Sequence, residues 1–347
     1  MNQDLITLGW RQSFTGQMTS EEVETLTPMR IAEVRRRSLI LLADDLTRHE
    51  VALTGDHVAT DFAVGDFVLT DGERIIRRLE RRSVIARKAA GLRAEAQLIA
   101  ANIDTLLITT SCNADFNEAR LERYLAMALE AGITPVIVVT KADDPEDMSA
   151  EAYEERAKAL YAAADIFVIN AMDEGDLARL ARYCGKGETI ALVGSSGVGK
   201  STISNGLTGL DIATGDIRAD DAKGRHTTTA RSMYRMLAGG WLIDTPGMRE
   251  LALHDVSEGI STLFEDITDL AARCKFSDCQ HETEPGCAVQ AALESGALDH
   301  DRLARWQKLV VENERNSETI AEARARGRKF GKMVLATRKA NKARGKR

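Results

Sequence analysis

Short apolar runs in the middle of the chain alternate with segments whose apolar residues recur at helical spacing. Such runs are typical of strands buried on both faces, and their alternation with helices predicts a parallel sheet covered by helices. The central part of the chain is therefore expected to be an α/β domain. The predicted strands are Thr105–Ile108, Pro135–Val139, Ile166–Ile169, Ile190–Val193 and Trp241–Ile243, and the core positions of the first helix are Leu121, Tyr124, Leu125, Ala128 and Leu129.

The pattern differs towards the two ends of the chain, and 347 residues are too many for one small core. Residues 1–27 show no strong periodicity, and we expect a partly ordered extension. Short β-type runs between turn formers in residues 28–90 predict a small β-barrel of about five strands, the size of an oligonucleotide-binding (OB) fold. These runs are Ser38–Leu42, Glu50–Leu53 and Asp66–Leu69, and we assign 91–255 to the α/β domain, 256–318 to a helical domain and 319–347 to a tail.

Composition and charge change this picture mainly at the C-terminus. With 44% hydrophobic and 29% charged residues, no membrane-length apolar run and no secretion signal, the sequence predicts a cytoplasmic protein without membrane association. The net charge of −7 is the balance of +11 in residues 324–347 and −18 in the rest. A basic tail on an acidic body favours nucleic-acid contact, although a solvated end that aids solubility is an equal alternative.

A second basic stretch lies at the exit of the predicted barrel. It would suit contact with nucleic-acid phosphates, or it could form a solvated charged edge. Its residues are Arg77, Arg78, Arg81, Arg82, Arg87 and Lys88.

The strongest chemical motif follows the fourth apolar run. Residues 194–201, Gly-Ser-Ser-Gly-Val-Gly-Lys-Ser, match the phosphate loop G-x-x-x-x-G-K-[ST], and a helical pattern follows them. In such a loop backbone N–H groups converge on phosphate oxygens, Lys200 reaches the β- and γ-phosphates, and Ser201 can bind Mg²⁺. We therefore predict a nucleotide site formed by Gly194, Ser195, Ser196, Gly197, Val198, Gly199, Lys200, Ser201 and Thr202.

The residues that follow two other predicted strands indicate which base the bound nucleotide carries. Residues 140–143, Thr-Lys-Ala-Asp, are a variant of the N-K-x-D element. The Asp143 carboxylate can accept hydrogen bonds from guanine N1–H and the exocyclic amine, a donor pair that adenine lacks, and the stem of Lys141 can lie along the base. Thr140 replaces the usual Asn, which can loosen a supporting hydrogen bond. Asn170 and Ala171 resemble the [S/N]-A element that contacts guanine O6, and together these elements favour GTP.

The last apolar run ends in Asp244-Thr245-Pro246-Gly247, a D-x-x-G element. Asp244 would hold Mg²⁺ through water, and the Gly247 N–H would meet the γ-phosphate. Conventional GTPases run from the phosphate loop through a switch threonine and D-x-x-G to N-K-x-D and [S/N]-A. Here the last two elements precede the first three, which predicts a circularly permuted GTPase domain.

A cysteine cluster follows the α/β domain. Its three thiolates and one imidazole form a complete tetrahedral set for one structural Zn²⁺, with no open position for a catalytic water. The ligands in this C-x₄-C-x-H-x₅-C arrangement are Cys274, Cys279, His281 and Cys287, whereas Cys112 and Cys184 are interpreted as ordinary core or loop thiols.

These motifs together resemble the ribosome small-subunit-dependent GTPase A (RsgA/YjeQ/EngC) family. The resemblance covers nearly the whole chain, from residues 8–10 (Leu-Gly-Trp) through 87–91 (Arg-Lys-Ala-Ala-Gly), the permuted motifs and 224–229 (Gly-Arg-His-Thr-Thr-Thr) to the cysteine cluster. It implies hydrolysis of GTP to GDP and phosphate, stimulated by the 30S subunit, and a role in late small-subunit maturation through binding to 16S rRNA. It implies a monomer with an OB-fold, a permuted P-loop GTPase domain and a zinc-binding helical domain.

The resemblance also implies the catalytic residues. Met248 stands where Ras-like enzymes carry the Gln that orients the attacking water, so another side chain must take that role. By resemblance this residue is His226, and Thr228 contacts Mg²⁺, with Thr227 and Thr229 as alternatives.

Two other functions stay open at this point. One is an ATP-dependent phosphotransferase that uses the same phosphate loop. The other is a nucleotide-sensing RNA-binding module with little turnover, for which Met248 is the main support. Because the D-x-x-G strand leads directly into the cysteine-bearing segment, a γ-phosphate contact at Gly247 could also bias that segment's position.

Overall fold

The computed structural model describes residues 3–55, 57–88, 96–211, 232–244 and 255–317. Residues 224–229, Gly247, Met248 and the tail from 319, all of which carry sequence-based predictions, lie outside the described residues. The strands are β1 Thr27–Val34, β2 Ser38–Leu42, β3 Arg48–Ala52, β4 Phe67–Thr70, β5 Ile75–Arg78, β6 Val84–Lys88, β7 Ala96–Ala101, β8 Thr105–Ser111, β9 Thr134–Thr140, β10 Asp165–Val168, β11 Thr189–Val193, β12 Ser232–Arg235 and β13 Trp241–Asp244. The helices are α1 Gln3–Thr7, α2 Gln12–Thr15, α3 Ser20–Thr25, α4 Glu118–Glu130, α5 Ala150–Leu160, α6 Glu174–Ala178, α7 Lys200–Thr208, α8 Ser257–Leu263, α9 Glu265–Ala271, α10 Ala288–Glu294 and α11 His300–Ser317.

A parallel sheet forms the centre of the molecule. Its strand order is β10-β9-β8-β11-β13, with β12 antiparallel to β13 at one side. The strands coincide with the predicted apolar runs, apart from Ile169, which follows β10. This parallel sheet confirms the α/β prediction. The strands were recognisable in the sequence because parallel strands buried on both faces have continuous apolar sequences.

The N-terminal strands join this sheet through one long strand. β1 pairs with β2 along one edge and uses its other edge twice, for β4 at Thr27–Arg30 and for β12 at Glu33, which lies opposite Ser232. The pairing of β1 with β2 is irregular between Ile31 and Glu33, which is also the stretch where the partner on the other edge changes from β4 to β12. One backbone ladder therefore connects the N-terminal strands to the α/β sheet.

Five of the six strands in the region predicted to be a barrel pair in the order β3-β2-β1-β4-β5. Among the described residues no strand pairing joins β3 to β5, and β6 pairs with β7 in a separate two-stranded sheet. The strand content agrees with the prediction, and the OB-fold itself stays a prediction.

The N-terminal segment packs into the core, which the lack of periodicity did not indicate. Leu8, Trp10 and Phe14 are buried, and the rings of Trp10 and Phe14 contact Phe67 of β4 at centroid distances of 5.1 and 4.7 Å. The Trp241 indole donates a hydrogen bond to the Thr7 carbonyl at 2.7 Å. This segment therefore covers both the barrel strands and the α/β sheet.

The basic stretch after the barrel forms ion pairs within the chain. Arg77 binds the Glu22 carboxylate with two hydrogen bonds of 2.7 and 2.8 Å, and Arg81 binds Asp66 with two of 2.7 Å. Arg82 donates to Asp104 at 3.0 Å. These three side chains therefore stabilise the junction between the barrel strands and their neighbours.

The C-terminal helices pack against α4. Gly259 of α8 lies so close to this helix that a Cβ atom there would stand 2.0 Å from the Ala126 carbonyl oxygen. The Gly259 N–H donates to the Glu130 carboxylate at 2.8 Å. Among the described residues, none of the helices is both long enough and apolar enough to span a membrane.

Arg30 of β1 is fully buried without an ion-pair partner among the described residues. Its guanidinium donates to the carbonyls of Leu8 at 2.5 Å, Gly65 at 3.2 Å and Asn102 at 3.2 Å, and it lies 5.2 Å from the centroid of the Phe67 ring. Burial lowers the pKa of Arg30 to about 10, so the side chain stays charged near neutrality. One cation therefore joins the N-terminal segment, the barrel strands and the start of the α/β domain.

We predict that Arg30→Met lowers the free energy of unfolding by about 2–4 kcal/mol, because the Leu8 and Asn102 carbonyls lose their buried donor. Chemical denaturation would measure the change. The control is Arg35→Met, which removes a half-exposed surface ion pair with Glu33 and should lower the free energy of unfolding much less than Arg30→Met does. Equal stability of Arg30→Met and the unchanged protein would contradict the prediction.

Candidate functional site

The predicted nucleotide-binding elements meet at one edge of the parallel sheet. The phosphate loop follows β11, residues 140–143 follow β9, Asn170 follows β10, and Asp244 ends β13. Since these strands are parallel neighbours, their carboxyl ends lie side by side, where open α/β sheets bind ligands.

The phosphate loop depends on glycine at defined positions. Gly194, Gly197 and Gly199 have φ angles of 145°, 80° and 90°, a region that favours glycine. A Cβ atom on Gly194 would lie 2.1 Å from the Thr109 carbonyl oxygen of β8. The loop thus leaves β11 pressed against the neighbouring strand, and α7 begins at Lys200 with its N-terminus towards the loop.

Ser195 is held within this loop from two sides. Its carbonyl accepts a hydrogen bond from the Lys200 ammonium, and its hydroxyl accepts one from the guanidinium of Arg120 in α4. The contact of Arg120 was not predicted from the sequence, because the two residues are 75 positions apart and no motif includes Arg120.

Thr140 connects the base-side loop to the phosphate loop. Its hydroxyl lies 2.7 Å from the Val198 carbonyl oxygen and 3.0 Å from that of Thr110, and its one hydrogen can be shared between these two acceptors. A threonine in place of asparagine therefore still provides a hydrogen bond to the phosphate loop.

The base-side residues lie next to one another. Lys141 has a φ of 59°, which turns the chain sharply after β9, and Asp143 is exposed. The Ala142 N–H donates to the Ile169 carbonyl at 3.2 Å, which joins this turn to the segment after β10. There the Asn170 side-chain oxygen accepts from the Met172 N–H at 2.9 Å, and Ala171 is buried. The exposed Asp143 carboxylate is available to accept hydrogen bonds from a bound base.

Two oxygen-bearing side chains lie on the phosphate side of the site. Ser201 is in the first turn of α7, and Asp244 ends β13. Hydroxyl and carboxylate oxygens are suitable ligands for Mg²⁺ or for its bound water. The other predicted residues of this part, His226, Thr228 and Gly247, lie outside the described residues.

A separate candidate metal site lies between α9 and α10. The ligand atoms of Cys274, Cys279, His281 and Cys287 all lie within 4.8 Å of one another. Nδ1 of His281 is 3.6 Å from Sγ of Cys274 and 3.5 Å from Sγ of Cys287, and these two sulfurs are 3.8 Å apart. Such separations fit four ligands around one ion at metal–ligand distances of about 2.0–2.3 Å.

Backbone N–H groups donate hydrogen bonds to two of the cysteine sulfurs. Cys287 caps α10, where its sulfur accepts from the Gln290 N–H at 3.4 Å. Burial raises the pKa of the Cys274 thiol, but hydrogen bonds from the Ala288 and Val289 amides outweigh this effect and the pKa is lowered. Burial and the neighbouring thiols raise the pKa of Cys279 to about 11. Binding of a metal ion would require the three thiols to lose their protons.

The other two cysteines are buried, as predicted. Burial raises the pKa of Cys112 to about 11 and that of Cys184 to about 12, so both stay neutral thiols.

A phosphate loop preceded in sequence by its base-side loops, on one parallel sheet, defines a circularly permuted P-loop GTPase fold. The RsgA GTPase family model matches residues 78–254, just over half of the chain. The chain belongs to the RsgA GTPase family, which confirms the resemblance drawn from the motifs.

Relatives with curated names cover almost the whole chain. The "Small ribosomal subunit biogenesis GTPase RsgA" of Mesorhizobium japonicum is 53% identical over 323 residues, which are 90% of this chain and 91% of the relative. The "Small ribosomal subunit biogenesis GTPase RsgA 2" of Vibrio parahaemolyticus is 45% identical over 329 residues, 94% of this chain and 90% of the relative.

Two solved structures share the fold. YjeQ from Thermotoga maritima matches with a TM-score of 0.61 and 22% identity, over 83% of this chain and 98% of its own. YloQ, described as a circularly permuted GTPase, matches with a TM-score of 0.60 and 22% identity, over 84% and 96% of the two chains.

We predict that Thr140→Val weakens binding of both GTP and GDP by about three- to tenfold. The Val198 carbonyl loses a buried hydrogen bond, and the two loops lose their connection. Titration with a fluorescent guanine nucleotide would measure the affinity. Thr134→Val, an exposed position at the opposite end of β9, is the matched control and should bind normally; a Thr140→Val protein that binds as tightly as this control would disprove the role of the hydroxyl.

Proposed function

We propose that this chain hydrolyses GTP to GDP and phosphate and acts in late maturation of the small ribosomal subunit, stimulated by the 30S subunit. The observation that carries the proposal is the Thr140 hydrogen bond to Val198, which joins a guanine-type base loop to a phosphate loop in permuted order. The names of the relatives supply the ribosomal context.

For GTP recognition, we assign the base to Asp143, Lys141 and the Asn170–Ala171 segment, with Thr140 in support. The phosphates are assigned to the phosphate loop. Its backbone N–H groups and the α7 N-terminus attract phosphate oxygens, and Lys200 adds a positive charge. The exposure of Asp143 and the left-handed φ angles of the loop glycines support this assignment.

For hydrolysis, Ser201, Thr228 and Asp244 are the proposed Mg²⁺ residues, and Gly247 the proposed γ-phosphate contact. Bound Mg²⁺ would neutralise charge that builds up on the phosphate oxygens. His226 is proposed to orient the attacking water, because Met248 has no polar group for that purpose. Together these residues bind the phosphates and orient the water.

For the cysteine cluster, we propose one structural Zn²⁺ per chain. Three sulfurs and one imidazole nitrogen are the donor set that zinc prefers, and the mutual distances of these atoms support tetrahedral binding. The ion would allow all three thiols to ionise and would fix the segment between α9 and α10.

For the ribosome, we propose that the barrel strands form an OB-fold and that this fold and the tail contact 16S rRNA. The strand order β3-β2-β1-β4-β5 supports the first part, and the charge of +11 in residues 324–347 supports the second. We further propose that the protein is a cytoplasmic monomer. Its proposed parts are those assigned from the sequence: an extension at 1–27, the OB-fold at 28–90, the GTPase domain at 91–255, the helical domain at 256–318 and the tail at 319–347. Contact of Gly247 with the γ-phosphate would bias the position of the C-terminal helices and so couple nucleotide state to ribosome binding.

The test is turnover of GTP and ATP by the purified protein, alone and with 30S, 50S or 70S particles. We expect GTP to be preferred and hydrolysis to be stimulated most by 30S particles. Tight GTP binding without stimulated turnover would favour a nucleotide-sensing module instead. A preference for ATP would overturn the proposal.

Two variants locate the activity within the site. Asp143→Asn should abolish the preference for GTP, because the amide presents a donor to the base's N–H groups. His226→Ala should lower the maximal rate roughly a hundredfold with little change in GTP affinity. Asp144→Asn, the neighbouring exposed carboxylate, is the matched control for the first variant.

The candidate metal site gives a separate prediction. The purified protein should contain one zinc per chain by elemental analysis, and Cys279→Ser should lose most of it and unfold at a lower temperature. The chemical reason is that a serine hydroxyl does not ionise to replace the thiolate ligand. Cys184→Ala, a buried cysteine outside the cluster, should keep its zinc. Full zinc content in Cys279→Ser would contradict the assignment.

A further inference from the structure

Arg120 occupies an unusual place at the nucleotide site. Its half-buried guanidinium donates to the Ser195 hydroxyl, and no carboxylate among the described residues lies within ion-pair distance of it. Arg120 lies in the first turn of α4, whose N-terminus is capped by the Asn117 side chain. The side chain therefore extends from a fixed helix end to the phosphate loop.

The hydrogen bond from Arg120 is made to Ser195, the same residue that binds the Lys200 ammonium. The Ser195 carbonyl accepts a hydrogen bond from the Lys200 ammonium while the Ser195 hydroxyl accepts one from Arg120. Both bonds restrain the same residue of the loop, one through its backbone and the other through its side chain. A change in the position of Arg120 would thus alter the orientation of the backbone N–H groups and of the Lys200 ammonium.

The other turns of α4 are attached to α11. The Nε–H group of Arg305 is shared between the two oxygens of the fully buried Glu122 carboxylate, at 2.9 and 3.0 Å, and Nη1 of Arg305 pairs with Glu118 at 3.0 Å. The next residue of α4, Arg123, pairs with Glu312 of α11 at 2.5 Å. Breaking such a buried pair leaves an uncompensated charge, so α4 and α11 should move together.

Helix α11 in turn contacts the cysteine cluster. The Trp306 ring lies 5.8 Å from the His281 ring, centroid to centroid. Asn313 of α11 accepts from the Val256 N–H at 3.1 Å, at the start of α8, the helix that packs on α4. A continuous set of contacts therefore runs from the metal site through α11 and α4 to the phosphate loop.

We propose that Arg120 is a positioning residue for GTP hydrolysis, which holds Ser195 and makes the geometry of the phosphate loop depend on the position of the C-terminal helices. The proposal rests on the proposed GTPase function and adds a route for its regulation that does not pass through Gly247. Contact of the C-terminal helices with a large RNA–protein particle would move α11 and, with it, α4.

A double-mutant cycle tests the first part. Arg120→Gln and Ser195→Ala should each lower the GTP affinity and the maximal hydrolysis rate roughly tenfold. The double variant should lose no more than either single variant, because both substitutions remove the same hydrogen bond. Arg120→Lys should recover most of the loss. The ratio of GTP to ATP affinity should stay unchanged, since the base-side loops are intact.

The outcomes separate the possible roles of Arg120. Losses that multiply to about a hundredfold in the double variant would overturn the proposal and point to direct phosphate contact by Arg120. Wild-type behaviour of Arg120→Gln would overturn it as well. Arg74→Gln, on an exposed turn of the barrel strands, is the matched control and should bind and hydrolyse GTP normally.

A second cycle tests the connection through α4. Arg305→Lys keeps the charge beside Glu122 but loses the planar guanidinium that contacts Glu122 through Nε and Glu118 through Nη1, and should lower stimulation by 30S particles about threefold. In the Arg120→Gln background the same change should have no further effect. Arg182→Lys, which alters an ion pair with Asp165 of β10 away from α4, is the control and should leave stimulation normal. Equal effects of Arg305→Lys in both backgrounds would overturn the connection.

Measurements of nucleotide binding distinguish a failure of the proposed GTPase function from a failure of the proposed role of Arg120. If the unchanged protein binds GTP but does not hydrolyse it, the proposed enzymatic function fails. The affinity cycle with a non-hydrolysable GTP analogue then still decides the role of Arg120: a non-additive loss of affinity supports it, and an additive loss or none overturns it.

Discussion

The buried charge of Arg30 constrains the whole N-terminal half of the molecule. A guanidinium in the core is tolerated only when its N–H groups have acceptors, and here the acceptors come from Leu8, Gly65 and Asn102. These residues belong to three segments that are far apart in sequence. The charge is therefore satisfied only after all three segments have assembled, which favours a single cooperative unit over independent domains.

The two sides of the α/β sheet are attached to their neighbours by different forces. On the barrel side, β1 and β12 continue the backbone ladder, and Arg30 adds three more hydrogen bonds. On the C-terminal side, α4 is attached to α8 and α11 by side-chain ion pairs and a close contact at Gly259. Helices that pack through side chains can shift by small sliding steps, whereas a strand ladder cannot. We therefore expect sliding of neighbouring elements to be easier on the C-terminal side of the sheet than on the barrel side.

The sequence predicted what is local and missed what depends on distant partners. The strands β8, β9 and β11 were recognisable because buried parallel strands are continuous apolar runs, and the phosphate loop and cysteine cluster because their spacing is short. By contrast, Leu8 and Trp10 lie in the turn between two short helices and Phe14 lies in the second of them, so their burial has no periodic pattern in the sequence. The contact of Arg120 with Ser195 spans 75 positions, and only the fold brings the two together.

The fate of the basic stretch shows why charge alone does not identify an RNA-binding surface. Arg77, Arg81 and Arg82 have carboxylate partners within the chain, at Glu22, Asp66 and Asp104. Contact of these arginines with rRNA phosphates would have to break pairs that stabilise the fold, and the Asp66 carboxylate is fully buried. The body apart from residues 324–347 carries a charge of −18, which repels RNA at long range. If the chain binds rRNA as proposed, its long-range attraction would depend on the tail, whose charge of +11 in residues 324–347 has no acidic residue within it.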